Sequence, residues 1–347
     1  MKTLKQKIQV FLTPQKTRSA VGLDLGSYSV KCVEMIRDEN RVELASVRIE
    51  RLTAGTEENL LMALRQIRTS LSSDKHVRIS VSGPSVIIRN VVLPRMTKQE
   101  LKSAIRFEAE RHIPFHIDEC LLDFQIIGQA PNKQGMKVLL VAAKKDHIQH
   151  QLKILKEAGF EPEIVDCGIF SFLNAFQKLT PEGRETTYGL LNIGHSLSSF
   201  AIVHEGELHF VREILFGGLG VTRALAEMRG VPAEAADEIK KKDAPQDHAD
   251  IVTAVERGLD PLAAEIKRSV DYFENEAGVE IKAVYTAGGG ARIKEVKDVL
   301  AQELGKKIVL WNESKQLLAK IGVDENFLQE CFPEIGVAYG LAARGMV

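Results

Sequence analysis

Hydrophobic and polar positions follow the same pattern in two stretches of this chain. Residues 20–36 read AVGLDLGSYSVKCVEMI and residues 187–203 read TYGLLNIGHSLSSFAIV. In each, an apolar strand enters a tight Gly-containing turn and an alternating strand returns, the period-2 signature of a hairpin. A polar turn follows each hairpin, RDEN or HEGE, and a third strand comes next, Arg41–Ile49 or Leu208–Leu215. The spacing between copies is constant: 168 positions separate Asp24 from Asn192 and also Gly26 from Gly194. A three-strand meander repeated at half the chain length predicts an internally duplicated, two-lobed α/β protein. Its two Gly turns should face each other across a cleft.

The pattern between the copies divides the chain further. The first lobe should occupy 19–94 and 161–184, with a helix over 56–72 and strands over 76–82, 85–93 and 163–166. Leu93-Pro94 reads as a boundary, and 95–160 as a compact α+β insertion. Its helix opens with the capping box Thr97-Lys98-Gln99-Glu100, carries Leu101, Ile105, Ala109 and His112 on one stripe, and ends before Pro114. Strands at 121–128 and 136–143 and a helix over 146–158, stopped by Gly159, complete the insertion. The second lobe should span 185–347. It holds a helical pair over 217–242, a long amphipathic helix over 249–277 with Leu262, Ile266, Val270 and Phe273 apolar, and a strand at 281–286 entering Gly288-Gly289-Gly290. Helices at about 292–304 and after Pro333 close it. Lys240–Lys242 reads as a solvated helix end, and the residues that follow as a polar surface loop.

Residues 1–18 place Leu4, Ile8, Phe11 and Leu12 at helical spacing with lysines between them. This basic leader reads either as a small amphipathic arm for a membrane surface or a partner, or as a solvated lead-in before Pro14. Charge narrows the function classes. With 46 basic and 47 acidic side chains and a net charge of −1, no basic block exists to release counterions from nucleic acid. The four cysteines are scattered without a C-x-x-C pair, which suits a reduced, cytoplasmic chain. No apolar run approaches the ~18–20 residues that span a bilayer. His147 and His150 lie three apart on a helix, but nothing nearby completes a metal site.

Candidate chemistry gathers at three Gly-rich strand ends. Around the first turn, Gly26, Ser27, Tyr28, Ser29 and Lys31 can cradle phosphate oxygens, because Gly permits close approach of backbone amides. Asp24 can hold water around Mg²⁺. Gly194, His195, Ser196 and Ser198 supply a second cradle after Asn192, and Gly288, Gly289, Gly290 and Arg292 leave bare backbone for a purine and ribose.

These three motifs, in this order on duplicated lobes, resemble the actin-like ATPase superfamily (a ribonuclease H-like fold). Within it, GLDLGSYSVKCVEM, AIRFEAERHIPFHIDECLLDFQIIG, VREILFGGLGVTRALA, EIKRSVDYFENEAG, YTAGGGARI and GVAYGLAAR resemble the PilM family of type IV pilus assembly proteins, relatives of FtsA. The resemblance covers nearly the whole chain. It implies ATP and Mg²⁺ as ligands, a role for Gly217 and Gly218 beside the second cradle, and ribose or base contacts from Glu265 and Arg268. That pair reads equally as a solvated (i, i+3) salt bridge. It also implies recruitment of the cytoplasmic N-terminal peptide of a PilN-type inner-membrane protein by the insertion, peripheral residence at the inner face of the inner membrane, contact with pilus motor ATPases, and self-association. Departures from the pattern bear on catalysis. Asn192 stands where relatives carry Asp, Gly168 in VDCGIF replaces an acidic residue, and GGLGVT lacks polar residues between its glycines. An amide in place of a carboxylate orients metal-bound water poorly, so nucleotide binding with slow or absent hydrolysis is expected. An active ATPase or small-molecule kinase, and a GspL-like or FtsA-like assembly protein, are the alternatives.

Overall fold

The computed structural model describes residues 19–38, 41–53, 55–71, 75–129, 135–180, 186–242, 244–317, 319 and 323–346. The basic leader at 1–18 lies outside the described residues. The chain opens with β1 (Ser19–Leu25), β2 (Ser29–Asp38) and β3 (Arg41–Arg51), then α1 (Glu57–Ser70) and β4 (His76–Val81). Thr56 caps α1 by accepting from the Asn59 amide, while Glu57 and Glu58 at its start and Arg68 in its last turn suit the helix dipole. Next come β5 (Val86–Pro94), α2 (Lys98–Glu110), β6 (Cys120–Gln129), β7 (Gly135–Lys144), α3 (Lys145–Glu157), β8 (Glu161–Cys167) and α4 (Gly168–Leu179). The capping box is present, with Thr97 and Glu100 satisfying each other's amides.

The second half repeats the opening as β9 (Thr187–Ile193), β10 (Ser198–His204) and β11 (Glu207–Ile214). It continues through α5 (Gly218–Arg229), α6 (Ala233–Lys242), α7 (His248–Ala277), β12 (Ala283–Ala287), α8 (Lys294–Leu304), β13 (Lys307–Leu310) and α9 (Glu325–Ala343). The two large sheets have the orders β3-β2-β1-β4-β8 and β11-β10-β9-β12-β13. Each is an antiparallel meander followed by two parallel strands. The equivalent hairpins pair Asp24 with Lys31 and Asn192 with Ser199, the same register in both lobes. The duplication read from spacing is therefore a duplication of topology.

Boundaries differ from the sequence reading in three places. The inserted sheet, ordered β5-β7-β6, takes its first strand from Val86–Pro94, ahead of the expected start at 95. Pro94 lies at the end of a strand on the sheet's edge, where a missing N–H costs no central ladder bond. At the other end, α3 belongs to the first lobe, since Ile154, Leu155 and Ala158 share a core with Val21 and Leu23. The last helix begins at Glu325, eight residues before Pro333, because Leu328, Cys331 and Phe332 bury themselves in the shared core. It packs on the first lobe rather than only on the second: a Cβ on Gly22 of β1 would lie 2.1 Å from the Ala338 carbonyl.

Helices α4 and α9 press together between the two sheets. A Cβ on Gly340 would sit 1.8 Å from the Ser171 carbonyl oxygen, so the helix backbones touch. Around them Phe172, Phe176, Tyr188, Tyr285, Trp311 and Phe332 form one aromatic cluster with tilted and edge-on rings. The Trp311 indole donates to Thr180 at 3.0 Å. This junction holds the lobes, and with them the two hairpins, in fixed relation.

Candidate functional site

The two Gly turns share one geometry. The Gly26 amide donates to the Ser29 carbonyl at 3.1 Å, and the Gly194 amide to the Leu197 carbonyl at 3.1 Å. A Cβ would fall 2.9 Å from the acceptor oxygen in the first turn and 2.4 Å in the second, so both positions need glycine. The tips meet across the cleft. The hydroxyls of Ser27 and Ser196 are 2.8 Å apart, and the Tyr28 ring stacks on His195 with centroids 4.7 Å apart and planes 25° apart.

A cavity of about 820 Å³ lies behind the tips. Of the residues anticipated from sequence, it is lined by Asp24, Gly26, Ser27, Tyr28, Ser29, Lys31, Asn192, Gly194, His195, Ser196, Gly218, Gly289, Gly290 and Arg292. Asp24 is paired with Lys31 at 3.1 Å. Gly168, at the start of α4, also lines the cavity, whereas Asp166 turns away into a buried pair with Arg344 and accepts from the Cys167 amide. The segment VDCGIF thus brings no carboxylate to the cleft.

Other anticipated residues serve the frame instead. The Ser198 hydroxyl is buried and donates to the Phe216 carbonyl at 2.7 Å. Gly217 has no room for a Cβ, which would lie 2.4 Å from the Gly194 carbonyl oxygen. The Gly218 and Leu219 amides, the first donors of α5, are taken up by the carbonyls of Gly194 and His195 at 2.9 and 2.7 Å. Gly288 sits at φ +91°, donates to the Pro333 carbonyl at 2.6 Å, and would place a Cβ 2.3 Å from the Ile193 carbonyl oxygen. Gly290 is equally tight against Ile193. Close packing of β12 on β9 therefore accounts for two of the three glycines. Glu265 and Arg268 are not brought to the cavity. They pair with each other on α7, and Glu265 also binds Arg212 of β11 at 2.7 Å.

Sequence reasoning missed several charged residues at the cleft, among them Arg51, Asp237, Lys240, Lys241 and Glu334. On α6, Asp237 accepts from the Tyr28 hydroxyl at 2.7 Å, from Lys240 at 2.8 Å and from Lys241 at 2.7 Å. Burial alone would raise the Asp237 pKa, but these three donors hold it well below the usual carboxylate range. Burial lowers the Lys240 pKa, with Asp237 opposing. His195 is held below the ordinary imidazole range, first by burial and then by Lys240, so a neutral ring stacks on Tyr28 at pH 7. Lys240, the first of the lysine run, is half-buried at the cleft rather than at a solvated helix end. The i, i+3, i+4 spacing of Asp237, Lys240 and Lys241 was visible, but only the fold places that helix face on Tyr28.

Glu334 of α9 closes the opposite wall. Its carboxylate takes a bidentate pair from Arg51 at 2.9 and 3.0 Å and a further bond from Arg292. It thereby links β3 of the first lobe to the strand-to-helix turn of the second. Burial pushes its pKa up, and Arg51 followed by Arg292 more than reverse this, leaving it below the usual range. Among the described residues no group of three or more His, Cys, Asp or Glu could hold a metal ion. Asp24 and Asn192 are the oxygen donors at the hairpin ends, a set suited only to a cation that keeps most of its water.

A family profile described as "Type IV pilus assembly protein PilM" matches residues 22–346. The chain belongs to the PilM family. A solved structure, "PilM-PilN type IV pilus biogenesis complex", superposes with a TM-score of 0.82 at 26% identity, over 96% of this chain and 100% of that one. The cell division protein FtsA of Streptococcus pneumoniae serotype 2 is 21% identical over 324 residues, covering 83% of this chain and 67% of FtsA. EutJ, an ethanolamine utilization protein from Carboxydothermus hydrogenoformans, shares the fold at a TM-score of 0.52 and 14% identity, over 98% of this chain and 93% of its own. This PilM-family chain thus has the α/β, duplicated two-lobe actin-like ATPase fold. No described helix is long and apolar enough to cross a membrane.

Proposed function

We propose that this chain is an ATP-binding scaffold of type IV pilus assembly that recruits the cytoplasmic N-terminal peptide of a PilN-type inner-membrane protein. The observation that carries the nucleotide half is the meeting of two duplicated Gly turns over one cavity. At about 820 Å³ it lies within the roughly 300–1,000 Å³ usual for small-ligand sites. Lys31, Arg51, Lys240 and Lys241 line it and suit a polyanion. In this reading Gly26, Ser27, Ser29, Lys31, Gly194 and Ser196 hold phosphates, Asp24 holds Mg²⁺ through water, and Lys240, Lys241 and Gly289 lie on the nucleoside side. Bound Mg²⁺ would neutralise phosphate charge. Asn192 and Gly168 place no carboxylate at the second hairpin or at the start of α4, and Asp237 and Glu334 are taken up by their Lys and Arg partners, so in this reading hydrolysis is slow or absent.

The partner half is supported by the relative whose structure is a PilM-PilN complex. The insertion carries the exposed apolar side chains Val92, Phe107 and Ile126, and β6 is an outer strand of its sheet. An extended peptide can add main-chain bonds to such an edge. The chain would then sit at the cytoplasmic face of the inner membrane through its partner and reach the motor ATPases or further copies of itself from there.

Two measurements test this. Purified protein is denatured and the supernatant analysed for adenine nucleotide, or the refolded protein is titrated with a fluorescent ATP analogue and Mg²⁺. Absence of both bound nucleotide and titratable affinity refutes the first half. A pull-down with the PilN-type N-terminal peptide that fails with and without ATP refutes the second.

A further inference from the structure

We infer that the second lobe carries a separate docking groove, lying between the β11–α5 loop and the middle of α7, for a short partner segment with apolar and acidic side chains. The groove holds about 550 Å³ and is lined by Leu215, Phe216, Leu219, Arg223, Arg257 and Pro261. Its walls stay close because α5 and α7 cross on glycines: a Cβ on Gly220 would lie 2.5 Å from the Gly258 carbonyl oxygen. Leu215 and Phe216 are adjacent in sequence and 62% and 41% exposed, an arrangement that leaves two large apolar side chains in water.

Charge says what covers them. Arg212, Arg229 and Arg268 of the same lobe all pair with carboxylates. Arg223 and Arg257, which flank the apolar pair, have no carboxylate within ion-pair distance among the described residues. Among the described residues, Glu227 is the only acidic side chain lining the groove. The main chain adds a third element. Pro261 lies inside α7 and has no N–H to give to the Arg257 carbonyl one turn earlier, so that acceptor has lost its usual helical donor. An incoming segment can therefore seat an apolar side chain beside Leu215 and Phe216, set carboxylates on the two guanidiniums, and offer an amide to the Arg257 carbonyl.

The groove is joined to the cleft. Ser196, at the tip of the second hairpin, lines both. The Gly218 and Leu219 amides bind the carbonyls of Gly194 and His195, so the loop under the groove is bonded to the turn over the cavity. A segment bound here stiffens the same turn that meets Ser27. The groove itself does not depend on the nucleotide reading.

The test uses the full chain and two fluorescein-labelled 12-residue peptides, one alternating leucine with glutamate and one alternating leucine with lysine, read by anisotropy. The glutamate peptide should bind and the lysine peptide should not. Combined Arg223→Glu and Arg257→Glu should weaken the glutamate peptide by about tenfold or more and admit the lysine peptide. Leu215→Ser should weaken binding without changing the melting temperature. Hydrogen exchange should show protection over 215–224 and 254–261. Equal affinity for both peptides, no effect of the charge reversal, or equal loss in a Phe107→Ser control on the insertion would overturn the proposal. So would sedimentation showing a dimer that Leu215→Ser dissolves, or capture of anionic vesicles that needs the same arginines.

Discussion

Replacing Glu334 with Gln isolates the ionic clasp between the lobes, because the amide keeps the shape and removes the charge. The wild-type carboxylate is 2% exposed, while Arg51 and Arg292 are 46% and 39% exposed. Three charge-assisted bonds converge on it. Fully buried, such bonds are worth about 1.5–3 kcal/mol each. The arginines can turn to water, which brings the value down to about 0.5–1 kcal/mol per bond. The glutamine amide also turns a donor toward guanidinium donors. The sum is a loss of about 2–3 kcal/mol at pH 7. The folded-state pKa of Glu334 is depressed, so its contribution is present above the unfolded value of about 4.3 and is lost as pH falls below it. Urea unfolding at pH 7 should show a lower midpoint with an unchanged slope, and the difference should shrink at pH 3.5. A variant within ~0.5 kcal/mol of wild type at pH 7 would refute the assignment of Glu334 as the clasp.

Gly340→Ala should cost more than ~3 kcal/mol or prevent soluble expression, since its Cβ would meet the Ser171 carbonyl at 1.8 Å; Gly55→Ala, with open space, should be near neutral by thermal melting. Asp237→Asn should weaken binding of a fluorescent ATP analogue by roughly tenfold, because it releases Lys240, Lys241 and Tyr28 from their shared acceptor. Glu213 accepts the Gly83 amide, and burial raises its pKa to about 7. A raised carboxyl pKa means that stability falls as pH rises from about 4.3 through that value. Glu213→Gln should therefore raise the melting temperature at pH 8 more than at pH 5.5. Thr97→Ala should lower stability by about 1 kcal/mol through loss of the α2 cap.

Local chemistry was legible where it repeats or where a short-range rule applies. The hairpins at Gly26 and Gly194, the Thr97–Glu100 capping box, the stop at Gly278 in the left-handed region and the long α7 all follow from spacing within a few residues. Helix α4 went unread because it is buried on nearly every face, from Gly168 to Leu179, and shows no polar stripe to mark its period. Strand β13 is only four residues long, too short for alternation to register.

The order of the three Gly-rich strand ends and the 168-residue offset were enough to specify two like lobes facing one cleft, since duplicated patterns fold into duplicated sheets. Assigning side chains to that cleft required distances across the chain. Tyr28 and Asp237 are 209 positions apart, and Arg51 and Glu334 are 283 apart. No periodicity relates such pairs, and the packing of the two lobes brings them together. The same holds for Glu265 and Arg268, which pair with each other on α7, where Glu265 also meets Arg212 of β11, and for Gly288, which is small because β9 lies against it. Sequence periodicity reports which face of an element is apolar. Which partner that face meets is set by packing of the whole chain.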